Sequence, residues 1–190
     1  MRVANLNIKL GVRDQMNRRE IKKNYISHFL GEINKRYPDS GWCAVTLTMR
    51  QGIPLKGGGI EMLNRREVSK CISVLMKQLN KKTYNHAYQR YGKKLACIPV
   101  IEVSSNDRLH VHMLLQIPKH VQSNYHEYFD LIKKLWMTLR WAHREEHDVK
   151  LLPTKDDVTG WTKYIAKDLY SENDVIDLDN VHLGPIAVPD

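Results

Sequence analysis

Two apolar, β-rich segments separated by a short polar turn most strongly constrain how this chain folds. Residues 98–103 and 109–117 each have the composition of a β-strand. Ser104-Ser105-Asn106-Asp107 stands between them, and these residue types favour tight turns. Because so short a connection joins antiparallel neighbours, the sequence predicts a β-hairpin.

The remaining pattern alternates helices with strands. Apolar residues at four-residue spacing predict helices, and Asn64 with Glu67 three residues later resembles a capping box. The predicted elements are helices at 18–36, from Asn64 onward, at about 124–141 and at 156–170, strands at 42–49 and 149–152, and a loop or loose hairpin at 52–59. We expect an α+β fold, a central antiparallel sheet with helices on one face and the other face open to a substrate.

Charge is distributed unevenly along the chain. It has 30 Lys and Arg against 21 Asp and Glu, a net charge of +9. Five of the acids and no Lys or Arg lie in residues 171–190, so residues 1–170 carry +14. Such an excess favours a polyanion, most simply nucleic acid, although a solvated basic surface is the alternative. We expect one domain over 1–170 and an acidic tail over 171–190, which packs along the sheet edge, competes with DNA for the basic surface, or is disordered.

Several classes of protein are not indicated. No apolar run reaches the roughly 18 residues of a membrane span, and the N-terminus does not resemble a secretory signal. Three cysteines without a CxxC pair indicate neither a disulfide framework nor a zinc knuckle. The chain has no GxxxxGK[ST] motif, so it carries no Walker-type helicase domain. We expect no membrane partner and a cytoplasmic location.

The segment Leu109-His110-Val111-His112 contains a candidate metal site. His110 and His112 are two apart on a strand and therefore project on the same side, where both can reach one cation. If a three-residue loop (105–107) closes the hairpin, Glu102 lies opposite His110 and joins them. A four-residue loop would place Glu102 opposite Leu109, on the wrong face. Two imidazoles and a carboxylate would leave positions open for a phosphate on Mn²⁺ or Mg²⁺, whereas the alternative is two solvated histidines.

Tyr164 and Lys167 form a candidate nucleophilic pair. They are three residues apart and share a helix face, which we expect to point away from a buried stripe containing Trp161 and Ile165. A phenol has a pKa near ~10, and a nearby ammonium favours the phenolate. The alternative is an exposed Tyr and Lys on a charged helix.

Together these motifs resemble the HUH endonuclease superfamily, in particular the single-tyrosine replication initiators of plasmids and single-stranded DNA viruses. Ala44-Val45-Thr46-Leu47-Thr48 is similar to the first motif of the family, Glu102 with His110-Val111-His112 to its metal motif, and Tyr164 with Lys167 to its nucleophile motif. The resemblance spans about residues 42–170. Tyr170 lies on a different helical face from Tyr164, so we do not expect a second nucleophile.

The resemblance implies an RNA-recognition-like HUH fold and a nicking and joining reaction on single-stranded DNA. Tyrosine attacks one phosphate, retains the 5′ end as a phosphotyrosine and releases a 3′-OH, which would start rolling-circle replication of a plasmid, phage or similar element. The implied partners are a hairpin-bearing DNA origin, a separate helicase and a DNA polymerase. The host would be a bacterial or archaeal cell, or the nucleus for a eukaryotic virus.

Two other functions stay open at this stage. One is an HUH transposase, and the other is a non-catalytic nucleic-acid-binding autoregulator on the same fold. The candidate DNA contacts are Thr46, Thr48, Arg50, Lys56, Arg65, Arg66 and Lys163, with further cations at Lys70, Lys77, Lys81, Lys82, Arg90, Lys93 and Lys94. The candidate stacking residues are Trp42, Tyr84, Tyr88, Tyr91 and Trp141, of which Trp42 and Trp141 fit a core better.

Overall fold

A five-stranded antiparallel sheet organises the chain. The computed structural model describes residues 28–33, 35–104, 106–165 and 175–183. The strands of the sheet are β1 (Gly41–Met49), β4 (Cys97–Val103), β5 (Leu109–Ile117), β6 (Ala142–Leu152) and β7 (Val175–Ile176). Their order is β6-β1-β5-β4-β7, and a separate two-stranded ribbon consists of β2 (Gly52–Pro54) and β3 (Ile60–Met62).

Helices flank this sheet. They are α1 (28–33 and 35–36), α2 (Arg65–Tyr84), α3 (His86–Tyr91), a 3₁₀-helix (Lys119–Asn124), α4 (Tyr125–Met137) and α5 (Lys155–Ile165). Asn64 caps α2, because its side chain accepts a hydrogen bond from the Glu67 N–H at 3.1 Å. The predicted α+β class with a central antiparallel sheet and flanking helices is confirmed.

The β4–β5 hairpin has the register on which the metal prediction depended. The Ser104 N–H donates to the Arg108 carbonyl at 2.9 Å, which closes the three-residue loop, and Glu102 pairs with His110. Asp107 ends the loop at φ 56°, a left-handed conformation that Asp tolerates better than most residues. The four-residue alternative is therefore excluded.

One face of the sheet is covered by α2 and α4. Its core contains Leu47, Val111 and Met113 from the strands, packed against Ile72 of α2 and Trp136 of α4. These strand residues are odd-numbered, as the two-residue period of a strand requires.

The opposite face is covered only in part. α1, α5 and residues around 176–183 pack over Trp42, Ile98 and Leu114 and form a second core. The expectation that helices cover one face and leave the other free is therefore wrong for this half of the sheet, because even-numbered apolar residues there also need burial. The part of this face that carries Thr46, Glu102 and His110 is half-buried.

Two predicted boundaries were wrong. β6 has 11 residues, whereas only 149–152 were expected, and it pairs along β1 from Met49 to Trp42. Its charged residues around Asp148 hide the strand pattern, and an edge strand tolerates such residues. α4 ends at Met137, because the chain must turn into β6 at Ala142.

The described part of the acidic tail lies along the edge of the sheet. β7 pairs with Val100 and Ile101 of β4, and His182 exchanges backbone hydrogen bonds with Cys97. Edge packing is thus the alternative that applies to residues 175–183. No helix within the described ranges is long and apolar enough to cross a membrane. The predicted helical residues 18–27 and 166–170, with Lys167 and Tyr170, lie outside the described residues.

Candidate active site

Strand pairing gathers polar side chains on the sheet face that also carries the second core. His110 of β5 pairs with Glu102 on one side and with Thr48 on the other, and His112 pairs with Thr46. Residues directly opposite in antiparallel strands share a face, so all five project the same way. The structure therefore brings together the sequence-predicted trio Glu102, His110 and His112.

His112 is held from two neighbouring strands. Its Nδ1 lies 3.1 Å from the Thr46 hydroxyl on β1, and its Nε2 lies 2.5 Å from Glu102 Oε2 on β4. The residue is only 9% exposed, so both contacts are shielded from water. A buried imidazole fixed at both nitrogens has little freedom to rotate, and one nitrogen is directed at the Glu102 carboxylate.

α5 places an aromatic pair over this imidazole. The Tyr164 ring lies 6.0 Å from the His112 ring, edge to face, and stacks on the Trp161 ring at 5.2 Å with an interplanar angle of 21°. Trp161 lies 5.8 Å from His112 and donates its Nε1–H to the Met113 carbonyl at 3.1 Å. Tyr164 is 44% exposed, so solvent and ligands can reach it beside the histidine.

Trp161 was expected in the buried stripe of α5, and it does pack against the second core. It is half-buried and lies on the face of Tyr164, whereas Val158, Thr162 and Ile165 are the buried residues of α5. The same three-residue spacing that joins Tyr164 to Lys167 also joins Trp161 to Tyr164, and this was the signal that could have found it.

Other candidate nucleophiles lie elsewhere. Tyr128 is buried in the α2–α4 core, where burial raises the pKa of its phenol far above the usual range and its hydroxyl donates to the Gln116 carbonyl. Tyr125 packs against the same core from α4. The cysteines Cys43, Cys71 and Cys97 are free and buried, and burial raises the pKa of the Cys97 thiol to about 12. Among these groups, Tyr164 combines exposure with proximity to the histidines.

The donor set suits a divalent cation, but the side chains are not yet arranged as ligands. A carboxylate suits Mn²⁺ and Mg²⁺, and imidazoles bind divalent transition-metal ions. Within the described ranges, however, no three His, Cys, Asp or Glu side chains are grouped as they are around a metal. Glu102 and His112 contact each other at 2.5 Å, whereas neighbouring ligands of one ion lie about 3 Å apart.

The remaining candidate DNA contacts lie in three places. Thr46 and Thr48 are on the sheet face of the site, where Thr46 contacts His112 and Thr48 is buried. Arg50 is exposed after β1, Lys56 at the tip of the ribbon and Lys163 on α5. Arg65 and Arg66 are exposed at the start of α2, which packs on the opposite face of the sheet. These two arginines line a cavity with Ile101 and Val175, at the β4 edge of the sheet.

The other cations and aromatic residues are also scattered. The exposed lysines of α2 project from the helical layer and not from the site face; they are Lys70, Lys77, Lys81 and Lys82. Trp42 and Trp141 are buried, as their better fit to a core suggested. Tyr84 packs partly against the α2–α4 core, whereas Tyr91 is exposed on α3.

Sequence reasoning missed Gln51. Its side-chain amide donates to the Leu109 carbonyl at 3.1 Å, and its side-chain oxygen accepts from the Leu109 N–H at 2.8 Å. This pair of bonds fastens the end of β1 to the start of β5, one residue before His110. No sequence pattern marks a residue 58 positions away as a partner.

Comparison with known proteins gives a family. Neither the curated proteins nor the solved structures gave a significant match. The family model of the replication-associated protein of ORF2 type matches residues 42–169, which is most of the chain and includes every residue of the site just described. The chain therefore belongs to this family of replication-associated proteins.

Proposed function

We propose that this protein is a replication initiator that nicks and rejoins single-stranded DNA through Tyr164. The observation that carries the proposal is the Tyr164 ring beside His112, whose other contacts are Glu102 and Thr46. A partly exposed phenol next to imidazoles and a carboxylate supplies a nucleophile where a phosphate could bind. Membership of a replication-associated family supports such a reaction at an origin.

The chemistry divides one difficult displacement into two steps. The Tyr164 oxygen forms a bond to the scissile phosphorus, and the bond from phosphorus to the 3′ oxygen breaks. The leaving oxygen takes a proton and becomes a 3′-OH, while the 5′ side is held as a phosphotyrosine. Attack by another 3′-OH reverses the exchange. The number of phosphoester bonds is unchanged, so no nucleotide hydrolysis is required.

Glu102, His110 and His112 are the residues that would hold Mn²⁺ or Mg²⁺. When bound, either ion would polarise the scissile phosphate and offset the charge that develops on it. Thr46 would keep the His112 ring oriented toward that position through its contact with Nδ1. Lys167 is proposed to stabilise the phenolate, as its spacing from Tyr164 suggests.

The second candidate is a non-catalytic nucleic-acid binder on the same sheet. It requires neither a metal nor an accessible phenol. The position of Tyr164 beside His112, which also contacts Glu102, favours the enzyme, because base stacking alone requires neither an imidazole nor a carboxylate. A transposase would use the same residues and differs only in its DNA target.

The decisive experiment incubates the protein with end-labelled single-stranded DNA and Mn²⁺, followed by denaturing electrophoresis. We expect a covalent protein–DNA species in the wild type. Tyr164→Phe removes one oxygen and should abolish this species with DNA binding retained. Tyr125→Phe is the matched control, because Tyr125 lies on α4 and packs against the α2–α4 core, away from the histidines. Mapping the phosphotyrosine to another residue would contradict the assignment to Tyr164, and cleavage with no adduct would contradict the reaction.

Metal dependence is checked separately. Chelation with EDTA should stop adduct formation, and Mn²⁺ should restore it. The double variant His110→Ala, His112→Ala should lose Mn²⁺ binding in calorimetry and lose adduct formation, since two of three ligands are gone. DNA affinity should change little, because phosphate contacts depend on Lys and Arg. Wild-type nicking by the double variant would rule out this metal site.

A further inference from the structure

The ribbon formed by β2, β3 and their connecting loop has one wholly apolar face. Gly52 pairs with Met62 and Pro54 with Ile60, and these four residues share the outer face. The inner face carries Ile53, which packs against the α2–α4 core. We refer to Gly52, Pro54, Ile60 and Met62 as the outer face of the ribbon.

This outer face is uncovered. Ile60 is 65% exposed and Met62 is 64% exposed. A Cβ at position 52 would lie 2.7 Å from Ile60 Cγ2, so glycine there allows the Ile60 side chain to lie across the ribbon. Ile60 and Met62 lie two residues apart on β3 and form one small exposed apolar patch, a surface that a binding partner can cover.

The ribbon begins beside the candidate active site. Gln51 immediately precedes β2, and its side chain bonds both main-chain groups of Leu109. His110 is the next residue, and Thr48, its partner on β1, lies three residues before Gln51. A strand of DNA that crosses the histidines and leaves the sheet at this end would meet the ribbon.

Charges on the ribbon complement DNA. Lys56 is exposed in the loop, and Arg50 is exposed just before the ribbon. The acid of the ribbon, Glu61, is turned to the inner face, where it forms two hydrogen bonds with Arg140. Cations thus border an apolar surface from which the carboxylate is directed away.

We propose that the outer face of the ribbon binds bases of the DNA strand held at the candidate active site, with Lys56 on the backbone. Single-stranded DNA offers apolar base faces next to phosphates, and Ile, Met and Pro are residues that proteins place against bases. The inference rests on the proposed function for the position of the strand. It adds a specificity element outside the sheet.

The test compares DNA with and without bases. Binding of a labelled oligothymidylate of about 20 nucleotides and of an abasic chain of equal length is measured by fluorescence anisotropy in EDTA. The wild type should prefer oligothymidylate, and Ile60→Gln with Met62→Gln should reduce the preference about fivefold or more. Val74→Gln with Met137→Gln is the matched control, because both residues are exposed on helices, and it should keep the preference. Lys56→Gln should weaken both DNAs equally, because both carry phosphates.

Each result has a defined meaning. If the Ile60, Met62 double variant melts like the wild type and still prefers oligothymidylate to the same extent, the inference is overturned. If the double variant is destabilised, the single variant Met62→Gln replaces it in the test. If the variant loses self-association of the protein but binds DNA as before, the outer face of the ribbon binds a second copy of the chain. That result also overturns the inference. Adduct formation by the wild type is measured in parallel with Mn²⁺. A reduced preference without any wild-type adduct supports the ribbon and contradicts the proposed function, and absence of all DNA binding contradicts both.

Discussion

At the scale of single residues, His112 is the most constrained group of the site. It is bonded from β1 through Thr46 and from β4 through Glu102, and it lies under the Tyr164 ring. Thr46 was expected to contact DNA, and the contact that the structure gives it is with an imidazole nitrogen. We therefore propose that the hydroxyl orients the ring and acts on the reaction through His112.

Removing this hydroxyl should impair the reaction and spare DNA binding. Thr46→Val keeps the shape of the side chain and removes the contact at His112 Nδ1, so we expect the rate of adduct formation to fall about tenfold or more. Single-turnover kinetics at saturating DNA and Mn²⁺ measure that rate. Thr46→Ser restores the hydroxyl and should recover most of it. A serine variant as slow as the valine variant would argue for a packing role only.

At the scale of elements, α5 is the helix that places the proposed nucleophile, Tyr164, against the sheet. Val158 and Ile165 pack it into the second core, and the Trp161 indole donates to the Met113 carbonyl of β5. That bond lies one residue from His112 along the strand. The stacked Trp161 and Tyr164 rings then set the position of the phenol relative to the histidines.

Two substitutions of Trp161 should separate the effect of its hydrogen bond to Met113 from the effect of its stacking on Tyr164. Trp161→Phe keeps a ring beneath Tyr164 but loses the bond to Met113, and we expect adduct formation to slow by about tenfold because the phenol is held less well. Trp161→Ala loses both contacts and should be slower still. DNA affinity is measured with Tyr164→Phe added to each variant, so that no covalent adduct forms. It should stay near the affinity of the Tyr164→Phe single variant. A parallel loss of affinity would assign Trp161 to DNA binding.

At the scale of the whole molecule, charge and layering act together. Residues 1–170 carry +14, and the described part of the acidic tail lies on the β4 edge. The cations of α2 project from the layer opposite the histidines, so they contribute to the long-range field more than to contacts at the site.

This charge predicts strong salt dependence. Binding of single-stranded DNA releases counterions in proportion to the phosphates that Lys and Arg neutralise. Affinity should therefore fall about tenfold or more between roughly 50 and 200 mM salt. Titrations of labelled oligonucleotide over that range give the slope. The paired variant Arg65→Gln, Arg66→Gln should alter the slope less than Arg50→Gln, Lys56→Gln, because only the latter pair borders the site. An affinity that does not change with salt would contradict a role of the excess Lys and Arg residues in DNA binding.

The sequence by itself determined the local parts of this protein. The period-two pattern of 109–117 set His110 and His112 on one face, and the turn residues 104–107 set a hairpin, whereas the register that pairs Glu102 with His110 came from the structure. Both depend on neighbours in the chain, where side-chain direction follows from backbone geometry. The Asn64 cap was predictable for the same reason.

Only the tertiary structure decided how distant elements meet. The length of β6 was set by pairing with β1, and the cover on the second sheet face by α1, α5 and the tail. The bonds from Thr46 to His112, from Trp161 to Met113 and from Gln51 to Leu109 join residues 48 to 66 positions apart. Such contacts depend on the packing of the whole core, because layers bury their apolar faces together and no local pattern encodes which polar atoms then become neighbours.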